Sequence, residues 1–450
     1  MAPLINGHSH GDAETLPKRP CALLWDDSFL WGVMAWRALK EAGLPFDLLR
    51  AEDIREGGLY RYRMLFVPGG WASNKISTLG ERGREEIRRF VAAGGSYLGI
   101  CGGAGMATEN GLDLLPIRRR PSSERVPSFS GRIRLYCTGH VIWQDVETPV
   151  FCAWWPSQFR IADSNVHVLA RYEDPQTDAF SSDINVADGG IVGWSDLEQR
   201  YGILLDPARL CGEPAAIEGR FGRGRVILSL VHFDTPGDRD GAVVLKNLWT
   251  YLSSNGSVCP ETGTGSAEGR SDPDLPQAEG LSGLDLAQEV LELIGEIQAA
   301  VADLIDTGAR NFLWYWRNPL LLHWRRGVRG LEYSTLAVMV AEIRKRLDHN
   351  RFGYPEVRPG LPESIDPARL HPDLIEIRRQ IAPFVAKAQR LLVRERFYMQ
   401  KAPLSPLVCD DEEIRRLRQE LFGSTMSHGG DFKHLIDAVD RLLYKLIRWI

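Results

Sequence analysis

The stretch GGSYLGICGGAGMAT (residues 94–108) decides the fold. Its apolar run Tyr97, Leu98, Gly99, Ile100 stops at a single cysteine, Cys101, and passes at once into Gly102, Gly103, Ala104 and Gly105. A short apolar run bounded by glycines reads as a buried strand, and the small residues after it read as the start of a helix. In open α/β sheets, sites form at the carboxyl ends of strands, which is where Cys101 falls. Gly99 and Gly103 flank it two residues to either side, giving G-x-C-x-G. That is the layout of a nucleophile elbow with cysteine in place of serine. Such a turn strains the backbone of the nucleophile, and the flanking positions tolerate little side chain. A helix N-terminus also favours a thiolate.

Working outward, residues 21–253 alternate strands with helices. CALLW, PFDLLR and MLFVP read as strands, and residues 29–42 as a helix capped by Asp27 or Ser28 and ended by Gly43. Residues 81–93 read as a helix closed by Gly94 and Gly95. Strands separated by single helices predict a parallel sheet covered on both faces. RIRLYC, NVHVLARY, GGIVGWS and RYGILL read as further β segments, before GRVILSLVHFD and a closing helix over 242–252.

Two other strand ends carry chemistry. In VILSLVHFDTPGD, His232 follows an apolar run and Asp234 lies two residues on. On a strand, such positions share a face, so the carboxylate can hold the imidazole in one tautomer. In LFVPGGW, the N–H groups of Gly69 and Gly70 can join that of Gly102 as oxyanion donors. A buried cysteine at a strand end is commonly a small core residue. The three pieces together favour nucleophile, base and oxyanion donors gathered at one edge of a sheet.

The order PGG, then G-x-C-x-G, then H-x-acid resembles the class I glutamine amidotransferase-like fold, a flavodoxin-like parallel sheet flanked by helices. GGSYLGICGG most resembles the amidotransferase-like domain at the N-terminus of eukaryotic biotin–protein ligases, shared by related stand-alone bacterial proteins. The resemblance covers about residues 20–255. It implies Cys101 as nucleophile, His232 as base, Asp234 as third member, and Gly70 with Gly102 as oxyanion donors. It also implies that an acid near the first strand, Asp26 or Asp27, contacts the thiol. Two positions depart from the glutaminase pattern G-x-C-x-G-x-Q and H-x-E: Gly105 replaces the glutamine that helps hold substrate, and Asp234 is one methylene shorter than glutamate. The expected activity is therefore thiol-dependent hydrolysis or acyl transfer at a small-molecule or peptide amide, with no cofactor or metal. The alternative is a non-catalytic scaffold acting through its helical part. GRGR at 222–225 is similar to a biotin-binding loop, but its place before a strand marks a hairpin turn.

Residues 254–282 are rich in Gly, Ser, Pro and Glu and read as a linker. Beyond it, Leu286, Val290, Leu293, Ile297, Val301 and Leu304 recur at helical spacing, and further helices are expected over 333–347, 374–397, 412–422 and 431–450. The reading is a separate all-α bundle over 283–450, with a Pro-rich loop at 354–372. The segment ARNFLWYWRNPLLLHWRRGVRG (309–330) has five arginines and no acid. It reads as an aromatic helix face with arginine stems at its edges. A membrane surface is the alternative, less favoured partner.

The chain of 450 residues, 44% hydrophobic and 25% charged, suits an ordinary protein of two domains. A net charge of −5 argues against general nucleic-acid binding. Seven scattered cysteines without CxxC spacing suit reduced thiols and a cytoplasmic setting. The first 19 residues, with His8 and His10, lack signal-peptide character and read as a disordered leader.

Overall fold

A computed structural model describes residues 18–253, 283–349, 366–405, 409–423 and 428–448. Most of the leader, the expected linker at 254–282 and most of the Pro-rich loop lie outside the described residues.

The first half runs β1 (Arg19–Leu24), α1 (Phe29–Glu41), β2 (Asp47–Leu49), α2 (Ala51–Arg55), β3 (Tyr62–Val67), α3 (Ala72–Ala92), β4 (Ser96–Ile100) and α4 (Gly102–Met106). The chain continues as β5 (Ile117–Arg119), β6 (Phe129–Cys137), β7 (Val150–Trp154), β8 (Phe159–Ile161), β9 (His167–Pro175), β10 (Phe180–Ser181) and β11 (Ile184–Asn185). It closes through α5 (Val186–Val192), α6 (Trp194–Tyr201), β12 (Pro214–Phe221), β13 (Gly224–Ser229) and α7 (Arg239–Ser253). Strands β2, β1, β3, β4 and β13 form the parallel core of the sheet, and β4 at its centre is buried at every position. The sheet then departs from the all-parallel expectation. Beyond β13 it continues as an antiparallel wing of β12, β9 and β6, with β7 and β10 on β6. Gly222, at φ 58°, turns the β12–β13 hairpin, which is the role of the GRGR segment.

Three local readings need correction. GGIVGWS is not a strand: Asn185 accepts the N–H of Ala187 to start α5, and Gly193 (φ 99°) separates it from α6. The apolar residues that suggested a strand, Ile191 and Val192, are exposed. RYGILL follows from the end of α6, where Gly202 takes the left-handed conformation typical of helix ends. Helix α3 begins nine residues early, its two parts joined across Gly80 (φ 63°).

The second half holds α8 (Gly283–Arg310), β14 (Trp314–Asn318), β15 (Leu321–Trp324), α9 (Gly330–His349), α10 (Pro367–Tyr398), α11 (Glu412–Phe422) and α12 (Gly430–Arg448). The periodic residues of α8 named above are all buried, as are Leu435, Val439, Leu442 and Leu446 of α12. Helix α10 starts earlier than expected because Asp366 caps it and Pro367 occupies its first turn, where a proline costs no hydrogen bond. The expected all-α composition fails at the aromatic segment. Asn318 and Pro319 form a turn, with Asn318 Oδ1 accepting the N–H groups of Leu320 and Leu321. Trp314 pairs with Trp324, and Tyr315 with His323, in an antiparallel hairpin. Proline cannot sit inside a helix without losing a bond, while aromatic residues suit a pleated surface, so the hairpin wins.

The two halves share one hydrophobic core. Glu342 of α9 is fully buried and receives Arg37 of α1 at 2.5 Å and Arg346 at 2.8 Å. Trp324 stacks on Trp155 with ring centres 5.3 Å apart, and Arg317 donates to the carbonyls of Ser130 and Asp178. Removing one partner of a buried pair costs roughly 3 kcal/mol. Glu342→Ala is therefore expected to lower unfolding free energy by about that amount. Urea denaturation is the check, and a loss below about 1 kcal/mol would mean that the pair does not hold the halves together.

Candidate functional site

The register of three parallel strands builds the site. Val67 at the end of β3 pairs with Gly99, and Ile100 at the end of β4 pairs with Ser229 at the end of β13. The PGG turn, Cys101 and the segment leading to His232 therefore leave the sheet side by side. The Cys101 N–H donates to Ser229 O at 2.8 Å, continuing the ladder one residue past the strand.

Cys101 then breaks the ladder. Its backbone sits at φ 52°, ψ −104°, a conformation that side-chain-bearing residues rarely adopt, and α4 begins at the next residue. The neighbouring glycines explain how the turn closes. A Cβ on Gly102 would lie 1.9 Å from Gly70 O, one on Gly103 2.0 Å from Val67 O, and one on Gly99 2.7 Å from the Gly103 backbone. Gly69 is tight in another way, since its Cβ would lie 3.0 Å from the Trp31 ring and 3.2 Å from His232 Cε1. Gly105 has no such need, as a Cβ there would meet only the Arg119 side chain at 3.5 Å.

His232 is placed by backbone and side chain together. Its N–H donates to Cys152 O at 2.7 Å, its Nδ1 lies 2.9 Å from Asp234 Oδ1, and Trp31 stacks on the ring at 4.9 Å. Both His232 and Asp234 are fully buried. Burial alone would lower the imidazole pKa, but the Asp234 charge and hydrogen bond, with a smaller pull from the Cys101 sulfur, raise it to about 10. With Nδ1 engaged by Asp234, Nε2 is the buried nitrogen left without a hydrogen bond of its own. The Cys101 thiol, half-buried, donates to Trp154 O at 3.7 Å.

The first-strand acids take other positions. Asp27 Oδ2 accepts from Thr78 Oγ1 at 2.5 Å, and its Oδ1 lies 3.6 Å from Lys433 of α12. Asp26 accepts the Ala51 N–H at 2.6 Å. Neither the Ser28 nor the Asp27 side chain caps α1: Ser28 Oγ instead donates to Leu24 O and accepts from Lys75 Nζ. Asp27 is itself in a left-handed backbone conformation, which points its carboxylate away from the helix start.

Sequence reasoning passed over several neighbours. Trp31 seals the imidazole, and the fully buried Lys75 lies beneath Gly70, its Cε 3.4 Å from where a Cβ there would be. Arg119 and Arg125 converge on the loop after β7, donating to Ser157 Oγ at 2.7 Å and Pro156 O at 3.1 Å. Arginines in a strand and a loop carry no sequence pattern of their own. Only the sheet topology brings them near Cys101.

No curated protein matches the chain. Among solved structures it is similar to a protein from Thermoplasma acidophilum described as a GMP synthase subunit, at 13% identity and TM-score 0.35, covering 52% of this chain and 95% of that one. It is similar to a glutamine amidotransferase at 18% identity and TM-score 0.33, covering 52% and 98%. A beta-galactosidase from Rahnella sp. R3 is similar at 14% identity and TM-score 0.34, covering 52% of this chain and 31% of that one. The family model described as "Biotin-protein ligase, N terminal" matches residues 58–111, the segment that runs from before β3 through the PGG turn, α3 and β4 to the Cys101 elbow and α4.

Proposed function

We propose that this chain is a cysteine-dependent hydrolase or acyl transferase acting on an amide. The observation that carries the reading is the strained backbone of Cys101 at a strand-to-helix turn, beside a buried His232–Asp234 pair. Strain of this kind costs about 1–3 kcal/mol and persists where the surroundings over-determine it, as at nucleophile elbows.

In this mechanism Cys101 Sγ bonds to the amide carbonyl carbon, and the proton it surrenders is held on His232. Asp234 keeps Nδ1 occupied, leaving Nε2 for that proton. The carbonyl oxygen becomes an oxyanion facing the Gly70 and Gly102 N–H groups. As the C–N bond breaks, His232 protonates the leaving amine. Water, or an acceptor amine in a transferase, then releases the acyl group from sulfur. Glutamine is not the favoured substrate, because Gly105 offers no side chain to hold it. The full burial of His232 favours one second reading, a scaffold whose elbow is retained for its fold.

Two measurements separate these readings. Iodoacetamide at pH 7 is expected to alkylate Cys101 at least about tenfold faster than the exposed Cys211, with His232→Ala removing the advantage. Equal rates, unaffected by the substitution, would leave the scaffold.

The second concerns the charge on His232. Its folded-state pKa of about 10 lies above the ordinary 6.5, so its contribution to stability is complete below about 6.5 and is lost as pH rises towards 10. The thermal midpoint of the native protein should fall across that window, and Asp234→Asn should flatten the fall. An identical pH profile in the variant would show that the pair is not ionic.

A further inference from the structure

Among the described residues, two arginines near the candidate nucleophile lack a carboxylate partner. Arg119 ends β5, which pairs with β8 so that Arg119 lies opposite Phe159. Arg125 follows six residues later. Both reach the short loop after β7, and Trp154, the last residue of β7, accepts the Cys101 thiol through its carbonyl. Arg125 bonds the carbonyl two residues further on, and Arg119 the hydroxyl of the next residue, Ser157. The loop is rigidly held, since Gln158 Oε1 accepts the Val126 N–H and Gln158 O accepts that of Arg120. The two anchors, Pro156 and Ser157, thus lie two and three residues past Trp154, the residue that receives the thiol.

The nearby carboxylates are already taken. Glu109 pairs with Arg118, Glu213 with Arg120, and Glu124 with Arg160. Among the described residues, neither Arg119 nor Arg125 has a carboxylate within ion-pairing distance. The Nε of Arg125 is buried without a hydrogen bond. Burial, then the like charge of Arg119, pull the Arg125 pKa down to about 10, while the Cys101 sulfur opposes them. The like charges of exposed Arg119 and part-buried Arg125 repel each other, and an anion bound between them relieves that repulsion. Arg119 also borders Gly105, the position where a glutaminase presents its substrate-holding glutamine.

We propose that Arg119 and Arg125 bind an oxyanion group of the substrate, so that the amide attacked by Cys101 carries a carboxylate or a phosphate near its scissile bond. This rests on the reading of Cys101 as the nucleophile. A guanidinium pair suits either anion, since both present planar or tripodal oxygens to its donor fork.

The test uses two alkylating agents with the same leaving group on the full chain, neutral iodoacetamide and anionic iodoacetate. In each, Cys101 sulfur bonds to the methylene carbon and iodide leaves. The ratio of iodoacetate to iodoacetamide rates at Cys101 should exceed that of N-acetylcysteine at least about tenfold. Arg119→Gln, at an exposed position, should lower the ratio severalfold, and Arg125→Gln should do the same; loss of a cation near the thiolate slows both agents together and leaves the ratio as the readout. Inorganic phosphate and acetate, added separately, should slow iodoacetate selectively; the stronger competitor identifies phosphate or carboxylate as the preferred group. A wild-type ratio equal to that of N-acetylcysteine, or one unchanged in Arg119→Gln, would overturn the proposal. A sluggish iodoacetamide reaction would count against the nucleophile, whereas the ratio alone reports on the arginine pair.

Discussion

Everything in the candidate site depends on the close approach of two backbone turns, the one after β3 and the one after β4. Gly102 and Gly70 meet so closely that a single methyl group on Gly102 would overlap the Gly70 carbonyl. This approach brings together the segments that carry the candidate oxyanion donors and the cysteine. It is possible because β4 is flanked by β3 on one side and β13 on the other, in parallel register. Parallel strands carry their chain out of the sheet in the same direction, so three strand ends deliver three turns to one edge. The register sets the location, and the missing side chains set the distance.

That arrangement was legible in sequence because its signals are local. Cys101 between Gly99 and Gly103, the Gly69–Gly70 turn, and His232 two residues from Asp234 each lie within one short stretch. The geometry between stretches followed from a rule about strand ends, not from long-range contacts. Trp31, Lys75, Arg119 and Arg125 were not legible for the converse reason. Each is an ordinary residue on a helix, strand or loop, and its meaning comes from a neighbour distant in sequence. Asp27 shows how a local signal misleads: an aspartate before a helix suggests a cap, yet its left-handed backbone turns it towards Thr78 and the C-terminal helix.

The fold outside the site follows the same division. The helices of the second half are legible from periodic apolar faces, which survive without knowledge of partners. The hairpin of β14 and β15 is not, because aromatic and arginine residues weighed by composition point to a helix, whereas Asn318 and Pro319 set the local geometry. A turn that uses the asparagine side chain to satisfy two backbone N–H groups outweighs an apolar pattern that suits either a helix or a strand. The antiparallel wing was legible only in part: RIRLYC and NVHVLARY mark β6 and β9, and GRGR marks the hairpin before β13, but β7 and β12 were not legible as strands.

The helical half is not an appendage to the elbow. Asp440 of α12 is buried, 3.6 Å from Arg50 of the first half, and the Arg50 guanidinium lies over the Tyr444 ring. Burial pushes the Asp440 carboxyl up to about 8, and burial pulls the Lys75 amine down to about 8 against the charges of Asp27, Asp26 and Asp440. A buried acid from one half and a buried base from the other thus share a single electrostatic compartment under the glycine turn. An ionised Asp440 favours the Lys75 cation, whereas the charge of Asp440 itself is favoured by Arg50. The turn bearing Gly70 rests on Lys75, whose amine feels Asp440 of the second half once that carboxyl ionises. The electrostatic surroundings of the turn beside Cys101 thus include a group from the second half, although every residue that suggests chemistry in sequence lies in the first.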